Sequence, residues 1–160
     1  MAGEITVLVV TVGGRRFALD AADVIEVLPV VAHRSAGTGP KWLLGLFNLR
    51  GRLLPLVDLS TIVDGTGTDV RLGSRIVVLR LEGDLFEGSA RPIGLLVPEV
   101  AGLARRDFSA EGVHEGFSFA GAPHLGPTLV DEDGMLQLLR CRRLLEGDAA
   151  LRELPARVDP

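Results

Sequence analysis

A single cysteine, Cys141, in 160 residues rules out an internal disulfide and any metal site built on several thiolates. One thiol fits a reducing compartment. Histidine occurs three times, as His33, His114 and His124, far apart in the chain. Solvated or structural roles are expected for all three. No G-x-S-x-G, G-x-x-x-x-G-K-[ST] or H-E-x-x-H segment occurs, so a nucleophile elbow, a phosphate loop and a zinc-protease helix are not encoded. Basic residues are not in excess. The net charge of -4, with scattered cations, leaves no basic footprint for nucleic acid and no patch for anionic lipid. Long apolar runs are missing despite a mean hydropathy of +0.32. The runs Ile5–Val12, Leu53–Leu59 and Ile93–Val97 stop well short of the roughly 18 residues a spanning helix needs, so membrane insertion is not expected. The first twelve residues carry Glu4 and no basic n-region, unlike a signal peptide.

What is present is valine, leucine and glycine, with 20 Gly and 9 Pro punctuating short apolar runs. That pattern predicts an all-β chain, one domain or two small barrels sharing a core. Strands are expected at Glu4–Val12, Arg16–Asp20, Ile25–Leu28, Leu44–Asn48, Arg52–Val57, Ser74–Leu81, Pro92–Val97, Val100–Ala104, Leu125–Val130 and Met135–Leu139. Gly13-Gly14 and Asp133-Gly134 are the hairpin signals. Three corners repeat one theme, a polar residue followed by apolar residues at i, i+3, i+4. Asp20 precedes Ala21, Val24 and Ile25; Asp58 precedes Leu59, Ile62 and Val63; Arg140 precedes Cys141, Leu144 and Leu145. Each predicts a short helical turn, and Asp is a preferred cap for one. Cys141 falls on the apolar face of the last turn, which predicts a buried, inert thiol. Asp131 and Asp133 belong to a tight turn, and their carboxylates are expected to serve it. The segments Val31–Pro40, Asp64–Gly73 and Arg105–Pro123 read as mobile or functional loops. The last carries Phe108, Phe117 and Phe119, which are expected to tuck back onto the barrel. The tail 147–160, with Pro155 and Pro160, is expected to fray.

The most informative stretch is Gly45-Leu46-Phe47-Asn48-Leu49-Arg50-Gly51-Arg52-Leu53-Leu54-Pro55-Leu56-Val57-Asp58-Leu59. It resembles the CheW family signature, G-x-x-N-L-R-G followed by x-x-x-P-x-x-D-L. Other segments agree in order: Arg16–Asp20 with Val24-Ile25-Glu26-Val27, then Gly94–Val100, then His124-Leu125-Gly126 through Leu139. The resemblance covers about residues 4–146, and 147–160 would be a C-terminal tail. It implies two intertwined SH3-like five-stranded barrels, and a non-catalytic cytoplasmic adaptor recruited to membrane-associated receptor arrays. The implied partners are the cytoplasmic tip of a chemoreceptor, the regulatory domain of a CheA-type histidine kinase and other CheW-like proteins. No cofactor or metal is implied. A glutamate and an arginine that pair across the receptor groove map onto Glu26 and Arg50, with Asn48 and Gly51 as turn formers presenting Arg50. A kinase-docking surface is expected around Leu53, Pro55 and Leu56, residues that could instead be core.

Four positions bear on the family pattern. Pro98 stands where the family has Asp, Arg140 where the last strand ends in Asp, and Ser60 where Arg follows D-L, while Phe17 keeps the second-strand aromatic in a chain without tyrosine. Two alternatives stay open. One is a divergent accessory subunit of a motility or pilus chemosensory system, binding receptor but little or no kinase. The other is a small hydrolase using His124 with Asp131 or Asp133, which lacks a nucleophile motif. A kinase regulatory domain excised from a longer chain fits less well, since Met1 immediately precedes the first strand.

Overall fold

The computed structural model describes residues 3–35, 37–81, 91–110, 112–115 and 124–144. Eleven strands are described within them: β1 Ile5–Val12, β2 Arg15–Asp20, β3 Val24–Pro29, β4 Arg34–Ser35, β5 Leu43–Leu49, β6 Arg52–Asp58, β7 Arg75–Leu81, β8 Arg91–Val97, β9 Glu99–Arg106, β10 Leu125–Asp131 and β11 Gly134–Leu139. The helix α1, Leu59–Asp64, follows β6, and 3-10 turns occupy Ala21–Asp23 and Cys141–Arg143. The first sheet runs β10-β11-β2-β1-β9 and the second β3-β7-β8-β6-β5-β4. The second therefore has six strands rather than the expected five. The addition is β4, two residues inside the expected loop 31–40 and too short to leave any periodic signal.

Each sheet curls around its own apolar cluster. Val7, Val9, Ala18, Phe108, Leu129 and Leu136 fill barrel 1. Phe47, Leu54, Leu56, Ile76, Val78 and Leu96 fill barrel 2. Gly94 makes room for the latter cluster, since a Cβ there would collide with the Phe47 ring. A third cluster joins the sheets: Leu8, Val10, Val12, Phe17 and Leu19 of barrel 1 meet Val57, Val77, Leu79, Ile93, Leu95 and Val97 of barrel 2. This alternation places successive residues of β1 and β7 in different cores, which is the period-2 rule applied to a doubly covered sheet.

All three corners form short helical turns as their sequences predict, and the two that begin with Asp are capped by it. Asp20 accepts from Ala22 N at 2.9 Å and Asp58 from Ser60 N at 3.1 Å. Arg140 makes no side-chain cap bond. Asp58 does more than cap: it is buried and also accepts from Thr68 N at 2.9 Å and Thr68 Oγ1 at 2.6 Å. Thr68 Oγ1 lies 2.8 Å from Ser60 Oγ. The loop 64–73, read from sequence as mobile or functional, is fastened at its middle by a buried carboxylate, and Ser60 is part of that fastening. Phe108 is buried against barrel 1 as expected. The same loop returns along β10, where His114 and Thr128 exchange backbone bonds of 2.8 and 2.7 Å. Phe117, Phe119, Leu145 and the tail 147–160 lie outside the described residues.

Candidate functional site

On β3 the sequence alternates, and so does exposure. Ile25 and Val27 are 47% and 39% exposed on one face, while Glu26 points to the other. Glu26 is in register with Val78, which belongs to the interior of barrel 2, so its carboxylate stands at the mouth of that barrel. Across the mouth is the β5–β6 hairpin. Leu49 faces Arg52, which leaves Arg50 and Gly51 as a two-residue turn with φ of 49° and 86°. Positive φ at both positions is the type I′ condition, which matches the strand twist. Arg50 is the sole non-glycine residue at positive φ among the described residues. Asn48 holds it there, its Oδ1 accepting from Gly51 N at 2.7 Å. So placed, Arg50 Nη2 donates to Glu26 Oε1 at 2.5 Å. The structure therefore brings Glu26, Asn48 and Arg50 together.

The pair is asymmetric. The Glu26 side chain is 27% exposed and that of Arg50 67%. The guanidinium has five donors and Glu26 takes one, so the others are available to a partner. Ile25 and Val27 form an apolar strip on the outer face of β3, opposite the face that carries Glu26 and its contact to Arg50.

The expected kinase surface divides. Leu53 and Pro55 are half-buried on the outer face of β6, whereas Leu56 is fully buried in barrel 2. Leu56 is corrected to core: it lies in register with Gly94, which leaves room for the Phe47 ring in the same cluster, and its side chain cannot reach a docked protein. Two residues not singled out in the sequence join the outer strip. Leu46 is in register with Pro55, and Arg34 with Leu46. Only strand register reveals them. Leu53 is in register with Asn48, so this strip is continuous with the hairpin that carries Arg50.

Three other titratable groups serve structure. Burial pushes the Cys141 thiol up to about 12, so it is not a nucleophile. His124 is buried, and desolvation lowers its pKa. Asp131 is held by Arg16 and Arg106 at 2.7 and 3.2 Å, and the Arg16 bond is the main reason its carboxyl falls to about 2. No group of three potential metal ligands occurs among the described residues, and no described helix is long and apolar enough to cross a membrane.

Two barrels sharing one core, with a polar clasp at the mouth of barrel 2 and apolar strips on its outer face, define a double-barrel scaffold fold. The CheW-like domain family model matches residues 6–149, and the chain belongs to that family. Protein PilI of Pseudomonas aeruginosa is 33% identical over 91 residues, a match covering 57% of this chain and 47% of that protein. The aligned part thus spans about half the length of the curated relative. The crystal structure of the scaffolding protein TtCheW from Thermoanaerobacter tengcongensis superposes with a TM-score of 0.73 at 19% identity, covering 92% of each chain. That likeness establishes two SH3-like barrels.

Proposed function

We propose that the chain is a non-catalytic cytoplasmic adaptor that couples the cytoplasmic tip of a chemoreceptor to the regulatory domain of a CheA-type histidine kinase. The observation that carries this is the Glu26–Arg50 pair, fixed by Asn48, on a strand whose other face exposes Ile25 and Val27. A receptor tip offers amphipathic helices, and one laid over the edge strand β3 meets its apolar strip on one side and the remaining Arg50 donors on the other. Kinase docking then falls to Leu53 and Pro55, with Leu46 and Arg34 beside them.

The test is calorimetric titration of a soluble receptor-tip hairpin into wild type, Arg50→Ala and Arg50→Gly. Glycine adopts a φ of 49° without strain, so the second variant removes only the side chain. The expected loss is about 1–3 kcal/mol, as for a charge-assisted bond. Unchanged affinity in both variants refutes the receptor assignment.

A second reading, an accessory subunit of a motility or pilus chemosensory system with reduced kinase affinity, is favoured by Pro98, Ser60 and Arg140 and by the similarity to PilI. Titrating the kinase regulatory domain separates the two. Binding at strength similar to the receptor tip supports the coupling adaptor, and absence of binding supports the accessory subunit.

A further inference from the structure

The β10–β11 hairpin of barrel 1 carries an exposed apolar pair. Val130 and Met135 are 76% and 71% exposed, and they are direct cross-strand partners. Their face is the one whose far end, Leu139, enters the shared core. Cross-strand apolar pairs stabilise a sheet when something covers them. The charges beside this pair are ordered. At the hairpin tip, Glu132 and Asp133 are exposed, while Asp131 is already neutralised by Arg16 and Arg106. On the inner side is Arg15. Gln137 of β11 is in register with Phe17 of β2, and Met135 and Arg15 each stand two residues before that pair. The Arg15 guanidinium lies 4.9 Å over the Phe17 ring and remains half exposed despite a 3.5 Å contact to Asp64.

The surface thus runs from acid through apolar to base. A patch of that kind is complementary to itself when turned by a two-fold axis, because each acidic tip meets the other copy's arginine while the apolar pairs stack. We infer that the chain forms an isologous dimer through Val130 and Met135, with Glu132 of one copy against Arg15 of the other. This face lies on barrel 1, away from the Glu26–Arg50 clasp and the Leu53–Pro55 strip of barrel 2. A dimer therefore presents two sets of those sites. A patch this small belongs to the weak end of protein interfaces, with a Kd on the order of 100 µM.

Sedimentation velocity of the full chain, from low micromolar concentration to about ten times that Kd, tests the arrangement. Wild type should shift from monomer to dimer, and Met135→Glu should weaken association by about tenfold or more. Val130 and Met135 are exposed, so thermal midpoints should stay unchanged. Glu132→Arg and Arg15→Glu should each weaken the dimer, and the chain carrying both changes should regain it. Wild type remaining monomeric, association that survives Met135→Glu, species larger than a dimer, or failure of the combined charge reversal to restore pairing each overturns the inference. Receptor-tip titration with Met135→Glu keeps the two proposals apart: retained binding with lost dimer leaves the receptor assignment standing.

Discussion

Replacing Asp131 by Asn should cost roughly 2 kcal/mol at neutral pH, and the loss should disappear in acid. Arg16 donates to both carboxylate oxygens at 2.7 and 3.0 Å, Arg106 adds bonds of 3.3 and 3.2 Å, and Asp133 N adds one of 2.9 Å. The side chain is only 11% exposed, so solvent screens these bonds weakly. Together they lower its pKa from the ordinary 3.8 to about 2, against the opposing effect of desolvation. A tenfold change in proton affinity is worth about 1.4 kcal/mol, so the contribution is roughly 2 kcal/mol. The sign follows from depression of the folded pKa. The contribution is complete above the unfolded value and is lost as pH falls through the folded one, between about 4 and 2. For a chain of this length each kcal/mol moves the midpoint by about 2–4 °C. Thermal melts of wild type and Asp131→Asn at stepped pH should therefore differ by roughly 4–8 °C at pH 7 and converge near pH 2. Other carboxylates titrate in the same window, but they are common to both chains and cancel in the difference. A gap that stays constant down to pH 2, or no gap at pH 7, refutes the account.

Glu26→Ala and Arg50→Ala should each cost the free protein less than about 1 kcal/mol, because the arginine is largely solvated. In receptor binding their double-mutant cycle should show coupling above about 0.5 kcal/mol, and strict additivity means the two do not act together. Leu53→Asp should leave the thermal midpoint close to wild type while weakening kinase-domain binding. Leu56→Asp should unfold the chain, since it buries an unpaired charge, and equal destabilisation by both would make Leu53 core as well. Arg140→Asp should raise the melting temperature by about 2–4 °C, the effect of supplying a cap worth about 1 kcal/mol where none exists. A lower midpoint would show that the arginine holds an interaction more valuable than the cap.

The strands are legible in the sequence because their residues alternate or cluster between glycine signals, and the Asp20 and Asp58 corners because a capping residue and its apolar turn are local. What escapes the sequence is non-local. The β6 run Leu-Leu-Pro-Leu-Val has no polar residue to mark a face, so the full burial of Leu56 and the half-burial of Leu53 are decided by which strands lie alongside. Arg34 and Leu46 join the outer strip through register alone. Asp131 serves its turn as expected, accepting from Asp133 N, but its arginine partners are 115 and 25 residues away. The Glu26–Arg50 contact is foreseen by family resemblance; nothing in their local sequence pairs them.

Barrel 2 is an insertion. Its strands occupy residues 24–97, while those of barrel 1 come from 5–20 and 99–139. The chain crosses between them through the three-residue turn Ala21–Asp23 and through Pro98 alone, and the shared apolar cluster is anchored in both. Links that short, over a common core, leave no hinge. The molecule is consequently a gauge: proteins seated on different barrels are held at a set distance and angle, and the gauge can be broken only by melting both barrels at once.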